Sequence, residues 1–343
     1  MRNDEHMQKF IEATGPELKK LEPLLVEYLL TPNEPTNDVL RHIFAAGGKR
    51  VRPGLFLLIS KLLQYGGEHR MPIAAVCEYI HTASLLHDDV IDNSTLRRGK
   101  PTANSIWGDE TAVLAGDLIY SAACRLMVKT RSLELIDTFA ECIRFMSESE
   151  LYQLELLWRS DVTQLQYERV VHGKTAILFE ASCKTPAFLA QLPASVCEDL
   201  GTFGKHLGFV FQIADDILDY VGDAAEVGKN VGADLLAGKA TLPVLLGMHA
   251  ENTLPEDQQK LTAGVRKVLS QGECTDQELQ NLVSLVRTTG GVEAAQKVAE
   301  QHAQKARQAL TRAVKELPIL MTDQRDTLSL LLTLPEALLM RDR

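Results

Sequence analysis

The run Leu85-Leu86-His87-Asp88-Asp89-Val90-Ile91-Asp92 ends an apolar stretch on three carboxylates. On a helix, Asp88 and Asp92 stand one turn apart on one face, with Asp89 adjacent. Carboxylates that close repel one another unless a cation lies between them. Oxygen-only donors suit a hard ion such as Mg²⁺, which also takes phosphate oxygens as ligands. A solvated helix end explains the cluster poorly, because negative charge at a helix C-terminus opposes the macrodipole. The same spacing returns in Phe211-Gln212-Ile213-Ala214-Asp215-Asp216-Ile217-Leu218-Asp219. One such motif is weak. Two of them, each ending an apolar helix, could hold a metal cluster and a polyanion between them if the fold makes them face each other.

Cations placed for phosphate accompany both motifs. Gly47-Gly48-Lys49-Arg50-Val51-Arg52-Pro53 is a glycine turn loaded with positive charge, and Arg97-Arg98-Gly99-Lys100 follows the first acidic run. Lys174-Thr175, Lys229 and Lys239 are further candidates, the last two in glycine-rich stretches after the second run. Arginine forks match phosphate oxygens in bidentate fashion. Any one of these alone reads as a solvated surface charge; the argument lies in their repeated placement beside metal-competent carboxylates. His81 lies two turns before Asp88 on the same face, a spacing that suits a core histidine as well as a substrate contact. His87 is not assigned to the metal, since imidazole prefers softer ions. The sum is magnesium-assisted handling of diphosphates, with neither a Walker-type loop nor a nucleophile elbow in the chain.

The elements that must position these groups read as helices. Segments 72–92, 110–129, 133–158, 167–192, 196–221 and 290–316 carry apolar residues at three- and four-residue spacing and are rich in Ala, Leu, Glu and Gln. Alternation of period two is scarce, so the expected fold is all-α. Breaks fall at 31–36, Gly47-Gly48, Gly66-Gly67, 93–108, Gly222 through Gly238 and Gly290-Gly291. No low-complexity linker divides the chain, and residues 1–343 read as one domain. The net charge of -10 argues against nucleic-acid binding. The six cysteines lack metal-ligand spacing and read as reduced core residues. The charged N-terminus shows no signal peptide, and no apolar run reaches the roughly 18–20 residues that span a bilayer. These features imply a cytoplasmic protein that meets a membrane only from outside, when a greasy product leaves.

The ordered set GGKRVRP, LLHDDVID with RRGKPTAN, GKTA, FQIADDILDY, GK at 228–229 and DLLAGKATLP resembles the trans-isoprenyl (polyprenyl) diphosphate synthases over roughly residues 40 to 245. The resemblance implies a helical bundle around a central cavity, a homodimer, and Mg²⁺-dependent 1'-4 condensation of isopentenyl diphosphate with an allylic diphosphate (farnesyl, geranyl or dimethylallyl). It further implies Mg²⁺ ligation by Asp88 and Asp92, with Asp89 in support, and by Asp215, with Asp216 and Asp219 as partners. Lys49, Arg52, His81 and Arg98 match contacts to isopentenyl diphosphate. Arg97, Lys174, Thr175, Gln212, Lys229 and Lys239 match contacts to the allylic diphosphate or its leaving group. Of these, Asp88, Asp92, Lys174 and Asp215 carry the catalytic role.

Short-chain relatives carry bulky aromatics four or five residues before the first Asp, where this chain has Ser84 and Ala83. Ser84 lies one turn below Asp88, so a growing chain can pass it, and a long product of about C40 is expected. Tyr120, Cys124 and Met127 are candidates for the cavity floor. Asn93 and Ser94 replace more acidic residues of relatives, whereas Gln153 preserves the glutamine of a tunnel-lining helix. The alternatives are a short-chain (C15–C20) synthase, a class I terpene cyclase, which would not need Lys49, Arg52 and Arg98, and a non-catalytic partner subunit, which would lose motif residues that are intact here.

Overall fold

Good helix formers at helical spacing become helices in the computed structural model, which describes residues 2–221, 231–250 and 254–340. Helices α1 (Arg2–Glu27), α2 (Glu34–Ala45) and α3 (Val51–Leu62) precede α4 (Arg70–Ile91), the first acidic helix. Asn93 turns the chain out of α4 with φ 50°. A hairpin follows, with β1 (Leu96–Arg97) antiparallel to β2 (Lys100–Pro101), Leu96 opposite Pro101 and Arg97 opposite Lys100. Its turn, Arg98-Gly99, has φ of 53° and 74°, the doubly positive pattern of tight hairpins. This pair is the only sheet among the described residues, so the all-α expectation holds.

Helices α5 (Ala103–Trp107), α6 (Asp109–Lys129), α7 (Leu133–Leu156) and α8 (Gln164–Val171) come next. A single π turn, His172–Ala176, joins α8 to α9 (Ile177–Leu189), so the continuous helix expected over 167–192 is interrupted. Then come α10 (Ala194–Val221), α11 (Ala233–Leu236), α12 (Leu242–Met248), α13 (Pro255–Gln271), α14 (Asp276–Thr288), α15 (Gly291–Lys315) and α16 (Thr322–Leu339).

Helices α4 and α10 are apolar well beyond one stripe, as central helices must be. Residues Ile73 through Tyr79 are buried without a break, and Tyr220 is inaccessible near the end of α10. Helix α4 packs on α3, α6 and α9, while α10 packs on α9, the π turn and α15. Both acidic ends are therefore held by helices buried on nearly every side. Four cysteines (Cys77, Cys142, Cys183, Cys197) are core residues as expected, but Cys124 is exposed and Cys274 half-buried. Helix α6 also corrects the expectation about apolar runs. Its 21 residues are long and apolar enough, by length and composition, to cross a membrane. The reason is that its interior charges are only Asp117 and Arg125, the others lying at its ends.

Candidate active site

In each acidic motif the first aspartate lines the main cavity and the second does not. Asp88 and Asp215 line one cavity of about 960 Å³, walled by α3, α4, α6, α7, the π turn and α10. Successive helical residues point about 100° apart, so Asp89 and Asp216 cannot share that direction. Asp89 is buried and takes a fork from Arg97, whose Nε donates to both carboxylate oxygens (3.0 and 3.1 Å) and whose Nη2 donates at 2.8 Å. Asp216 is buried too. It accepts from Tyr167 Oη at 2.5 Å and from Gln212 Nε2 at 2.9 Å, and Thr175 Oγ1 donates to Gln212 Oε1 at 2.8 Å. Burial first, and Asp234 next, push the Asp216 carboxyl well above the usual range, while Tyr167 and Gln212 pull it back. Asp219 accepts the amides of Ala233 (3.0 Å) and Asp234 (3.1 Å), tying α11 to the end of α10. Asp92 is exposed at the C-cap of α4, its amide bonded to the Asp88 carbonyl at 2.8 Å.

Lys174 stands between carboxylates. Its Nζ is 3.6 Å from Asp88 Oδ2 and makes a close ion pair with Glu150 of α7. Burial pushes both carboxyls up; against its own burial, Lys174 is driven above the usual range by Asp88 and Glu150. The π turn sets this position. Single π turns recur at functional sites because they re-aim one or two side chains. Gly173 makes it compatible with α7, since a Cβ there would come 2.6 Å from Ser149 Cβ and 2.9 Å from the Phe145 carbonyl. Ser149 Oγ in turn donates to the Val170 carbonyl at 3.2 Å. Lys174, Thr175, Gln212 and Asp215 also border a smaller pocket with Asp216, Asp234, Lys239, Gln153 and Tyr167.

Basic groups line this cavity too. Gly48, Lys49, Arg50, Arg52, His81, Arg97 and Arg98 line the same cavity, with Glu78 among them. Arg52 has its guanidinium 4.8 Å from the Phe179 ring centre and is pushed down to about 10 by burial, so it stays charged at neutral pH. Burial first, then Arg52, Arg98, Arg97 and Arg50, push His81 well below the usual imidazole range, so it is neutral. His87 faces α6, its Nε2 3.2 Å from the Val113 carbonyl. Lys229 lies outside the described residues.

Of the product-length positions, Ser84 and Tyr120 line the cavity. Ala83 is inaccessible and Met127 buried in the same core cluster, and Cys124 is exposed, so none of these three lines the cavity. Sequence reasoning missed Glu78, Glu150, Tyr167 and Asp234. Glu78 left one usable trace, an acid within an apolar helical stretch, whereas Glu150 lies in the polar run Ser147-Glu148-Ser149-Glu150 and left none.

Comparison with known proteins agrees with this geometry. The sequence profile of the polyprenyl synthetase family matches residues 33–286. The chain is similar to octaprenyl diphosphate synthase of Escherichia coli, 37% identical over 89% of this chain and 92% of that one. Its fold is similar to that of a decaprenyl diphosphate synthase from Rhodobacter capsulatus, with TM-score 0.87 and 33% identity over 98% of this chain and 99% of that one. It is also similar to a polyprenyl synthase from Caulobacter crescentus complexed with calcium and isoprenyl diphosphate, with TM-score 0.84 and 32% identity over 98% of each chain. The chain thus belongs to the polyprenyl synthetase family, whose members are prenyltransferases.

Proposed function

We propose that this prenyltransferase condenses isopentenyl diphosphate with an allylic diphosphate, 1'-4 and trans, to a long polyprenyl diphosphate of about C40, the length an open wall at Ser84 allows. The observation that carries this reading is one cavity with an acidic wall, Asp88 and Asp215, and a basic wall, Lys49, Arg52 and Arg98. Two diphosphates need both.

Among the described residues, no three His, Cys, Asp or Glu side chains already converge as a metal cage. The donor set still fits a hard cation. It offers only oxygens, and the one ammonium by Asp88 is shared with Glu150. Asp88, Asp92 and Asp215 would hold Mg²⁺, which would neutralise the allylic diphosphate and polarise its bond to carbon. The calcium-bound Caulobacter relative supports this reading.

The chain's own groups do the rest. Lys174, kept protonated by Asp88 and Glu150, offers its ammonium to charge growing on the leaving diphosphate. Lys239 lies nearby to assist, and Thr175 and Gln212 hold each other in place. The basic wall aligns the double bond of isopentenyl diphosphate with the allylic cation, and neutral His81 contributes hydrogen bonding rather than charge. Leu85, Met146, Leu154 and Phe211 keep water from the cation. The released diphosphate takes the final proton, and the lengthening chain runs past Ser84 toward Tyr120. We also read the chain as a homodimer formed through the outer face of α6.

The test is a product assay with Mg²⁺, labelled isopentenyl diphosphate and farnesyl diphosphate, the dephosphorylated products being sized by chromatography. A ladder ending near C40 is expected. A C15–C20 end point would overturn the length assignment. No elongation from farnesyl, geranyl or dimethylallyl primers would favour a partner subunit.

A further inference from the structure

Glu78 has no part in the chemistry above, yet it is a carboxylate buried in the middle of α4, in a stretch otherwise apolar. Burying a charge is unfavourable unless it is paired, and removing one partner of such a pair is far costlier than removing both. Its partner is Arg50, and both side chains are almost inaccessible (8% and 6%). Arg50 stands at the N-cap of α3 with φ 45°, a left-handed conformation uncommon for a residue with a side chain. Conformations of that kind persist when surrounding contacts over-determine them. Here the guanidinium is fixed by Glu78, by the Phe44 carbonyl at 3.2 Å, and by the Phe44 ring at 5.8 Å from its centre.

The turn that Arg50 closes is pinned from its other side as well. Gly47, with φ 69°, presents its carbonyl to Arg98 Nη1, and Lys100 Nζ donates to the Ala45 carbonyl at 2.7 Å. Lys49 and Arg52 flank Arg50, so the path of this turn decides where their charges stand in the cavity. Glu78 also lines the same cavity as Lys49, Arg50, Arg52, Arg97, Arg98 and His81. It is the largest favourable influence on the charges of Arg52 and Arg98, which burial opposes.

We propose that Glu78 is a positioning residue: through Arg50 it holds the glycine turn, and with it Lys49 and Arg52, in the arrangement that takes up the diphosphate not destined to leave. This rests on the assignment of the basic wall to isopentenyl diphosphate. It predicts a selective defect, because the Asp88–Lys174–Asp215 side does not touch Glu78.

Glu78→Gln keeps the shape and removes the charge. Steady-state kinetics of the intact protein should show KM for isopentenyl diphosphate raised by at least about tenfold, with KM for farnesyl diphosphate changed less than about twofold. Arg50→Met should give a similar defect. The double variant should be no worse than either single one, because the two act as a unit. Thermal unfolding of each variant, run alongside, separates loss of fold from loss of binding. Equal rises in both KM values, or unchanged KM values with a lowered Tm alone, would overturn the proposal. A wild-type protein that elongates no primer would instead remove the functional reading beneath it, and that control is measured first.

Discussion

Asp88 and Asp89 are neighbours in sequence and do different work. Asp88 faces the cavity and Lys174, whereas Asp89 is spent on a fork from Arg97. Asp215 and Asp216 repeat the division, the latter held by Tyr167 and Gln212. Asp88→Asn and Asp215→Asn should therefore each lower kcat by about a hundredfold or more and raise the Mg²⁺ concentration needed for half-maximal rate. Asp89→Asn should leave that magnesium midpoint within about twofold and act mainly through KM, because it frees Arg97 rather than a ligand. Rate measurements across a magnesium titration check this. A midpoint shift in Asp89→Asn as large as in Asp88→Asn would show that Asp89 turns to the metal. The motif itself was plain in the sequence. Which of its carboxylates face inward was not, because that depends on Arg97, Tyr167 and Gln212, which arrive from other turns and other helices.

Helix spans were readable for the same reason the fold is stable, namely apolar spacing. The segments expected at 72–92, 110–129 and 196–221 appear as Arg70–Ile91, Asp109–Lys129 and Ala194–Val221. The π turn was not readable, since nothing local in His172–Ala176 distinguishes it from α-helix; it follows from Gly173 meeting Ser149 of α7. Helix α10 is locked to α15 by another pairing without a sequence signature. His206 Nδ1 lies 2.9 Å from His302 Nδ1, and His302 stacks on Phe209 at 4.4 Å between ring centres. One nitrogen must donate and the other accept, so at least one of the two rings must stay neutral. Burial, aided by Lys205 and Lys305 and opposed at His206 by Glu180, pushes His206 down to about 4. Burial and then His206 push His302 down to about 3. Both folded values lie below the unfolded one, so the unfolded chain binds more protons on the acid side. Stability from this pair is complete above about pH 6.5 and is lost as pH falls toward 4. Between pH 7.5 and 5 the wild type should lose roughly 2 kcal/mol more than His206→Leu/His302→Phe, after allowance for partial exposure of His206. Urea midpoints at the two pH values measure the difference, and parallel losses in both proteins would refute the pairing.

Helix α6 packs one side on α4 and on the other leaves Val113, Leu114 and Val128 exposed, with Asp117, Ser121 and Arg125 between them. Val113 is 37%, Leu114 66% and Val128 61% exposed. Exposed apolar side chains on one helix face suit a membrane or a protein contact. A bilayer would have to take in Asp117 and Arg125, which lie on the same exposed side. A second copy of the chain has a use for them. In a two-fold contact, residue i meets j and j meets i. Two antiparallel α6 helices crossing near Ser121 would set Asp117 of each against Arg125 of the other. The same helix presents Tyr120 to the cavity, so a partner that steadies α6 also steadies the wall along which product grows. Light scattering should therefore give about twice the 38.0 kDa chain mass. Asp117→Arg should shift the protein toward monomer and broaden the product ladder, and Arg125→Asp in the same chain should restore the dimer by exchanging the two charges. A wild type that stays at 38.0 kDa through micromolar concentrations would leave α6 without its second copy. A double variant no better than Asp117→Arg would place the contact in another register.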